Sequence, residues 1–204
     1  MTSPIRITPY PAPPVDEAAV CRYMRDGAPN EATRALVRDC VAQSEGTFSY
    51  KVCSVETDVT VSGDKVSLGF VCFRSASLAR HLAGCDRAVV FAATVGLEID
   101  RAIRRYSRIS PSRALCLQAL GTERVEALCD RFESDVRQEA ERNGRVVRPR
   151  FSPGYGDLPL DIQRDIIRAL DCPRTIGVTL NDSLLMSPAK SVTAIIGIAE
   201  EKER

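Results

Sequence analysis

The apolar positions of this chain change period several times along its length. From Glu17 to Gln43 they recur at helical spacing, and Asp26-Gly27-Ala28-Pro29 predicts a turn within that stretch. Tyr50, Val52, Val55, Val59 and Val61 then follow a strand pattern; Ser62-Gly63-Asp64 is a turn, and Val66, Leu68 and Phe70 complete a hairpin. Ser75 to Gly84 reads as a short helix, with Ser75 or Ser77 as N-cap and Gly84 as its stop. Arg87 to Val95 is a buried strand ending at Gly96, and a second short helix runs to Tyr106. Pro111 opens a long helix where its missing N–H costs nothing. Leu117, Leu120, Val125, Leu128, Phe132 and Val136 form its apolar stripe, which runs to Asn143-Gly144.

Val146-Val147 begin the next strand, and Asp157 and Pro159 start a helix that ends before Asp171-Cys172-Pro173. Thr175 to Leu180 reads as a strand, Asn181 to Ser191 as a connection, and Val192 to Ala199 as a last strand before the charged tail Glu200–Arg204. Strands and helices do not alternate strictly, so the fold class is α+β: a single domain whose mixed or antiparallel sheet packs against the long helix. The division expected is an N-terminal arm with helices over 1–49 and the main domain over 50–204. The first fifteen residues hold five of the twelve prolines and read as an extended arm.

Composition narrows the function classes. Lys+Arg 28 against Asp+Glu 27 leaves a formal net charge of +1, so no field favours nucleic acid or an anionic membrane. No apolar run approaches the roughly 20 residues that span a bilayer, and Met1–Arg6 has no signal-peptide core; a cytoplasmic protein is expected. The eight cysteines lack zinc-knuckle spacing and read as buried thiols, as Cys72 does between Val71 and Phe73. His81 is the only histidine and lies on a helix face, which removes most nucleophile–histidine mechanisms. Neither a Walker loop nor G-x-G-x-x-G is present. Arg101, Arg104, Arg105 and Arg108 form either a solvated face or a docking patch.

Candidate chemistry concentrates in Arg150-Phe151-Ser152-Pro153-Gly154-Tyr155-Gly156-Asp157-Leu158-Pro159. Arg150 offers a planar fork to a carboxylate, Gly154 lets a ligand approach backbone, and Tyr155 adds a flat face and a hydroxyl. The set suits a small zwitterionic, aromatic ligand; a plain Pro/Gly connection carrying a solvated arginine is the other reading. Gly121 interrupts the long helix, either for a close approach to its backbone or as a kink or tight helix contact, and Glu126 lies at the margin of the apolar stripe, at the surface or against a ligand.

Arg150–Pro159, Ile176-Gly177-Val178-Thr179-Leu180, Ser183, Met186, Pro188 and Ser191-Val192 resemble the reactivation domain of cobalamin-dependent methionine synthase. Leu82-Ala83-Gly84-Cys85, Phe91–Gly96 and Gln118-Ala119-Leu120 leading to Glu126–Asp130 are similar to its stand-alone, activation-subunit form. The resemblance implies that residues 50–204 are an S-adenosylmethionine-binding activation domain. It would donate the ligand's methyl group to cob(I)alamin during reductive reactivation, as an accessory subunit of a methyltransferase. The implied partners are a cobalamin-bearing methionine synthase lacking its own activation domain and a flavodoxin- or ferredoxin-type reductant. By position, Arg150 corresponds to the arginine that holds the ligand's carboxylate, Ser152 and Gly154 to backbone lining the pocket, Tyr155 to the tyrosine beside the ligand, and Glu126 to a ligand-facing acid. No catalytic side chain and no metal ligand is implied, because the cobalt is the nucleophile. Gly156-Asp157-Leu158-Pro159 departs from the Pro-Ala-Cys-Pro-type stretch of the fused synthase, and Ile195 and Ile196 stand where the family often has aromatics. Two other readings remain: a methyl-donor module for another corrinoid methyltransferase, and a non-catalytic docking adaptor.

Overall fold

The computed structural model describes residues 3–25 and 27–200. Met1, Thr2, Asp26 of the expected turn and the charged tail beyond Glu200 lie outside the described residues. The chain begins with β1 (Arg6–Pro9), α1 (Glu17–Tyr23) and α2 (Glu31–Gln43). It continues through β2 (Lys51–Ser62), β3 (Lys65–Leu68), β4 (Val71–Arg74), α3 (Ala76–His81), β5 (Cys85–Thr94) and α4 (Glu98–Tyr106). The long helix α5 (Pro111–Arg142) leads to β6 (Arg145–Val147), α6 (Ile162–Ala169), α7 (Cys172–Thr175), β7 (Thr179–Leu180), β8 (Met186–Ser187) and β9 (Ser191–Glu200). The fold is α+β, with a sheet ordered β4-β3-β2-β5-β9-β6 and β1 added beside β2. Its pairings are antiparallel.

Strand alternation sorts the core into two layers. Val52, Phe91, Ala93, Ala194, Ile196 and Ile198 face α5, together with Leu117, Leu120, Leu128 and Phe132. Cys53, Val55, Ala88, Val90, Ala92 and Ile195 face the other way, against Leu78 of α3, Leu82 just after it, and Ile162 and Ile166 of α6. A period of two with both faces buried explains why β5 and β9 read as nearly continuous apolar runs. Phe91 and Phe132 lock the α5 layer, with ring centroids 4.7 Å apart. Val20, Cys21, Val37 and Cys40 from α1 and α2 belong to the same layer, so residues 3–49 share the core of the rest.

Four sequence expectations change. The arm contains a strand: Arg6, Ile7 and Thr8 pair with Ser54, Cys53 and Val52, and Pro9 ends it at an edge where a missing donor is tolerated. The hairpin gains a third strand, β4, which pairs with β3 from Lys65↔Arg74 to Leu68↔Val71. Cys72 in that strand is exposed rather than buried; the other seven cysteines are buried thiols. The strand expected at Thr175–Leu180 is reduced to Thr179–Leu180, because Asp171 turns the chain at φ 45° into the helical turn α7. The Thr175 hydroxyl donates to the carbonyls of Leu170 and Asp171, so its β-branched side chain caps a helix end instead of joining a sheet.

At Gly121 a close approach and a tight helix contact occur together, the first from Lys190 and the second from Ile99 of α4. A Cβ there would lie 3.0 Å from Lys190 Cγ and 3.1 Å from Ile99 Cγ1. The Lys190 ammonium donates to Thr122 Oγ1 at 3.0 Å, so the segment before β9 is laid directly across α5. Burial of Lys190 pushes its pKa down, with Asp100 acting against that shift.

Candidate functional site

The stretch after β6 continues along β9. Arg148 N donates to Gly197 O at 2.8 Å, and Phe151 and Ile195 exchange backbone hydrogen bonds at 2.8 and 2.9 Å. Holding Arg148 and Phe151 to the strand fixes Arg150 at the sheet margin, where its side chain meets α5. Glu126, Asp130 and Glu133 lie on one face of α5, four and then three residues apart. The guanidinium bonds all three: Glu126 at 2.9 Å, Asp130 at 2.7 Å and Glu133 at 3.0 Å. Burial opposes its charge, but the hydrogen bonds to Asp130 and Glu126 outweigh burial and raise its pKa. Arg137 also reaches Glu133 at 3.3 Å, so two cations among three carboxylates leave a formal local charge of about −1. Cys129, on the same turn of α5, is fully buried, and burial pushes its thiol pKa up; it offers no thiolate nucleophile.

Beyond Phe151 the chain folds into a tight loop. Tyr155 N donates to Ser152 O at 3.2 Å, Leu158 N to Tyr155 O at 3.0 Å, and Gly154 N to Leu158 O at 2.9 Å. Gly154 and Gly156 adopt φ 91° and 55°, values open to glycine. At Gly156 a Cβ would also lie 2.7 Å from Ser77 Oγ, so the loop seats on α3 only without a side chain there. Asp157 makes the second seat. Its Oδ1 accepts from Ser75 Oγ at 2.6 Å and Ser77 N at 3.0 Å, and its Oδ2 accepts from Ala76 N at 2.8 Å. His81 props the loop's first residues, donating from Nε2 to Pro149 O at 2.6 Å with its ring centroid 5.2 Å from that of Phe151. Leu158 anchors the far end in the α6-side core.

These elements enclose a cavity of about 560 Å³, within the range of small-molecule sites. Glu126, Arg150, Ser152 and Tyr155 line it. Gly154 is not among the lining residues; it sits at the loop apex, its open face against Leu160. Tyr155 is 68% exposed and meets Phe151 edge-on at 6.3 Å, which places it at the rim. The structure adds Asp130 and Glu133 around Arg150, and Phe151, Gln163, Met186 and Thr193 on the walls. The two acids follow Glu126 at helical spacing, which is visible in the sequence once Glu126 is singled out. Nothing local in the sequence marks Gln163 or Thr193; only the packing of α6 against β9 brings them to the cavity.

The model of the vitamin B12 dependent methionine synthase activation domain matches residues 75–203. The chain belongs to that family. Among solved structures, the MetH reactivation domain bound to AdoHcy aligns over 98% of this chain and 80% of its own, with a TM-score of 0.70. At 14% identity that likeness is one of fold. No curated protein matches the chain in sequence. The family match begins at Ser75, the N-cap of α3, and so takes in the whole loop, the Arg150 cluster and the strands that position them.

Asp157 gives a pH-dependent prediction for this site. The hydroxyl of Ser75 above all, with the N–H groups of Ser77 and Ala76, holds its carboxyl well below the ordinary value of 3.8. A carboxyl with a depressed folded pKa stabilises the fold fully above its unfolded pKa and ceases to do so as pH falls through the folded value. Asp157→Asn is therefore expected to melt below wild type at pH 7, with the gap narrowing steadily below about pH 4. Thermal unfolding of both proteins across pH 2–7 checks this; a gap independent of pH would show that the carboxylate charge is not what seats the loop.

Proposed function

We propose that this chain binds S-adenosylmethionine in the cavity beside Arg150 and presents the ligand's methyl group to a cobalamin carried by a partner methionine synthase that lacks its own activation domain. A flavodoxin- or ferredoxin-type protein is the reductant in this scheme, and the chain acts as an accessory subunit in the cytoplasm. The single observation that carries the reading is the arginine among three carboxylates on the wall of a ligand-sized cavity, in a chain of the activation-domain family.

The charges fit this ligand. S-adenosylmethionine carries one carboxylate, one ammonium and one sulfonium, a net charge of +1 at neutral pH. Its carboxylate takes the place of one α5 acid on the Arg150 fork, and its ammonium meets the acid thus released. Exchanging one ion pair for two leaves no buried charge alone, and the extra positive charge offsets the local negative excess. Tyr155 at the rim can place its ring near the sulfonium, an attraction of about 0.5–2 kcal/mol when face-on. With apolar contact added, binding in the micromolar range, about −8 kcal/mol, is expected.

The corrinoid on the partner supplies the nucleophile for methyl transfer when it is presented. This chain's residues bind and orient the donor, and the buried, protonated Cys129 takes no covalent part. Among the described residues no helix is long and apolar enough to cross a membrane. The test is a reconstitution: partner synthase in the cob(II)alamin state, reductant and methyl-labelled S-adenosylmethionine, with and without this protein. Label is expected in methylcobalamin only when the protein is present. Binding without label transfer would favour the docking adaptor, and transfer only to a different corrinoid protein would favour the other methyl-donor module.

A further inference from the structure

Charge is unevenly spread along this chain. From Arg101 to Thr122 it holds five arginines and no acidic residue, in a protein whose formal net charge is +1. Two of the five are paired, Arg101 with Glu98 at 2.6 Å and Arg113 with Asp39 on α2. Arg104, Arg105 and Arg108 are exposed and form no ion pair among the described residues. Ile99, Ala102, Ile103 and Tyr106 turn the opposite face of α4 into the core. Arg101, Arg104, Arg105 and Arg108 stand at the spacing of one helix face, which is therefore the solvent face. The helical turn continues past Tyr106, with Ser107 N donating to Ile103 O at 2.9 Å and Ser110 N to Tyr106 O at 2.8 Å, and so carries Arg108 on with the others.

Basic residues at a helix C-terminus offset the macrodipole, but that accounts for the charge alone. Ile109, next to Arg108, is 68% exposed, and Leu115, the fifth residue of α5, is 50% exposed. Large aliphatics in water beside three unpaired guanidinium groups give the composition of a protein interface, in which arginine is enriched. Arg105 is also braced: its guanidinium carbon lies 5.8 Å from the centroid of the Tyr106 ring, which Arg113 approaches at 5.3 Å. An arginine already held in place loses less freedom when a partner binds it. α4 supports the cavity wall without lining it. Asp100 Oδ2 accepts from Ala189 N at 2.7 Å, and Ser191 and Val192, just beyond, line the cavity. A partner on this face is brought alongside the cavity by a surface that takes no part in holding the ligand.

We propose that Arg104, Arg105 and Arg108, with Ile109 and Leu115, form the surface on which the corrinoid-bearing partner docks through an acidic face of its own. The inference rests on the function proposed above and names the part of this chain that meets that partner. Three unpaired cations complement a negative surface, steer its approach and fix its orientation. The exposed aliphatics supply the dry contact that holds the complex once it has formed. That second feature favours the corrinoid protein over the reductant. Electron carriers meet their partners through small, transient contacts, whereas methyl transfer needs the two proteins to stay together while donor and cobalt are aligned. A nucleic acid or an anionic membrane would call on a wider basic field than three cations in a chain of net charge +1.

The experiment measures calorimetric affinity of the full chain for the cobalamin-bearing synthase at about 50 mM and about 500 mM salt. Wild type is compared with a triple variant, Arg104→Glu, Arg105→Glu and Arg108→Glu, with its charge-keeping counterpart, Arg104→Lys, Arg105→Lys and Arg108→Lys, and with Ile109→Ser. The glutamate variant is expected to bind the synthase at least about 10-fold more weakly at low salt, the gap closing at high salt, and the lysine variant to stay within about 3-fold of wild type. Ile109→Ser is expected to weaken binding at both salt concentrations, because its contact is apolar. Affinity for S-adenosylmethionine is expected to equal wild type in every variant, since none of these side chains lines the cavity, and this shows that the variants are folded. A glutamate variant that binds the synthase as wild type does would overturn the surface and leave the S-adenosylmethionine reading standing. A loss confined to the reductant, to an oligonucleotide, to anionic vesicles or to self-association of the chain would overturn it equally. Docking that depends on the three arginines, without label transfer in the reconstitution, would keep the surface and overturn the methyl-donor role. Wild type that binds no cobalamin-bearing synthase would overturn both.

Discussion

Arg150→Met is expected to weaken S-adenosylmethionine binding about 10- to 150-fold, the equivalent of one charge-assisted hydrogen-bonded contact of about 1.5–3 kcal/mol. Methionine keeps much of the side-chain volume but removes the fork, so the ligand's carboxylate would face three acids with no cation between them. From the sequence, a loop arginine contributes little to the core and its replacement leaves the fold intact. The structure changes that expectation. Glu133 is only 14% exposed and donates nothing itself, so it depends on Arg150 for much of its pairing, whereas Asp130 at 68% exposure is screened by water and contributes little. Glu133 keeps its longer pair with Arg137 at 3.3 Å, so losing Arg150 is expected to cost about 1–2 kcal/mol, a fall of roughly 2–8 °C in melting temperature for a chain of this size. Calorimetry for affinity and thermal unfolding without ligand separate the two effects. Unchanged affinity would show that the fork does not hold the carboxylate.

Arg124→Met is expected to have the largest effect on stability. The Arg124 side chain is 1% exposed and that of Glu123 6%, and the two form a buried ion pair. The same guanidinium donates to Pro13 O at 2.5 Å and Pro14 O at 2.7 Å, and Glu123 Oε1 accepts from Asp16 N at 3.1 Å. The pair thus ties the arm before α1 onto α5 through three backbone groups. Burial opposes the charge on Arg124, but its bonds to Glu123 outweigh burial and raise its pKa. Removing one member strands a carboxylate in the interior, which costs about 3–5 kcal/mol, or about 6–20 °C in melting temperature. Replacing both Glu123 and Arg124 by methionine is expected to restore part of that loss, because no buried charge then lacks its counter-ion. A double variant as unstable as Arg124→Met would mean that the bonds to Pro13 and Pro14, rather than the stranded acid, account for the cost.

How far the sequence reached depended on the range of the interaction. Long periodic segments were legible: the α5 stripe, the apolar runs of β5 and β9, and Pro111 at the helix start all follow from local spacing. Short elements held by distant partners were not. β1 is a strand because β2 offers it an edge about 45 residues away, and nothing within Arg6–Pro9 announces that partner. Thr175-Ile176 has the composition of a strand, yet the reversal at Asp171 and the bonds of the Thr175 hydroxyl spend it on a helical turn. The loop from Arg150 to Pro159 stood out because arginine, two glycines and a tyrosine in so short a span are unusual, and because the same stretch resembles a known family. Its electrostatic state did not stand out, since the acids that surround Arg150 lie on another element. Gln163 and Thr193 were silent because only the packing of α6 against β9 brings an amide and a hydroxyl to the cavity.

The most direct measurement is isothermal titration of S-adenosylmethionine into the full chain at pH 7. The account predicts a single site with affinity in the micromolar range, about −8 kcal/mol, abolished or greatly weakened in Arg150→Met. Absence of any heat with millimolar ligand, from protein whose thermal unfolding shows it to be folded, would contradict it.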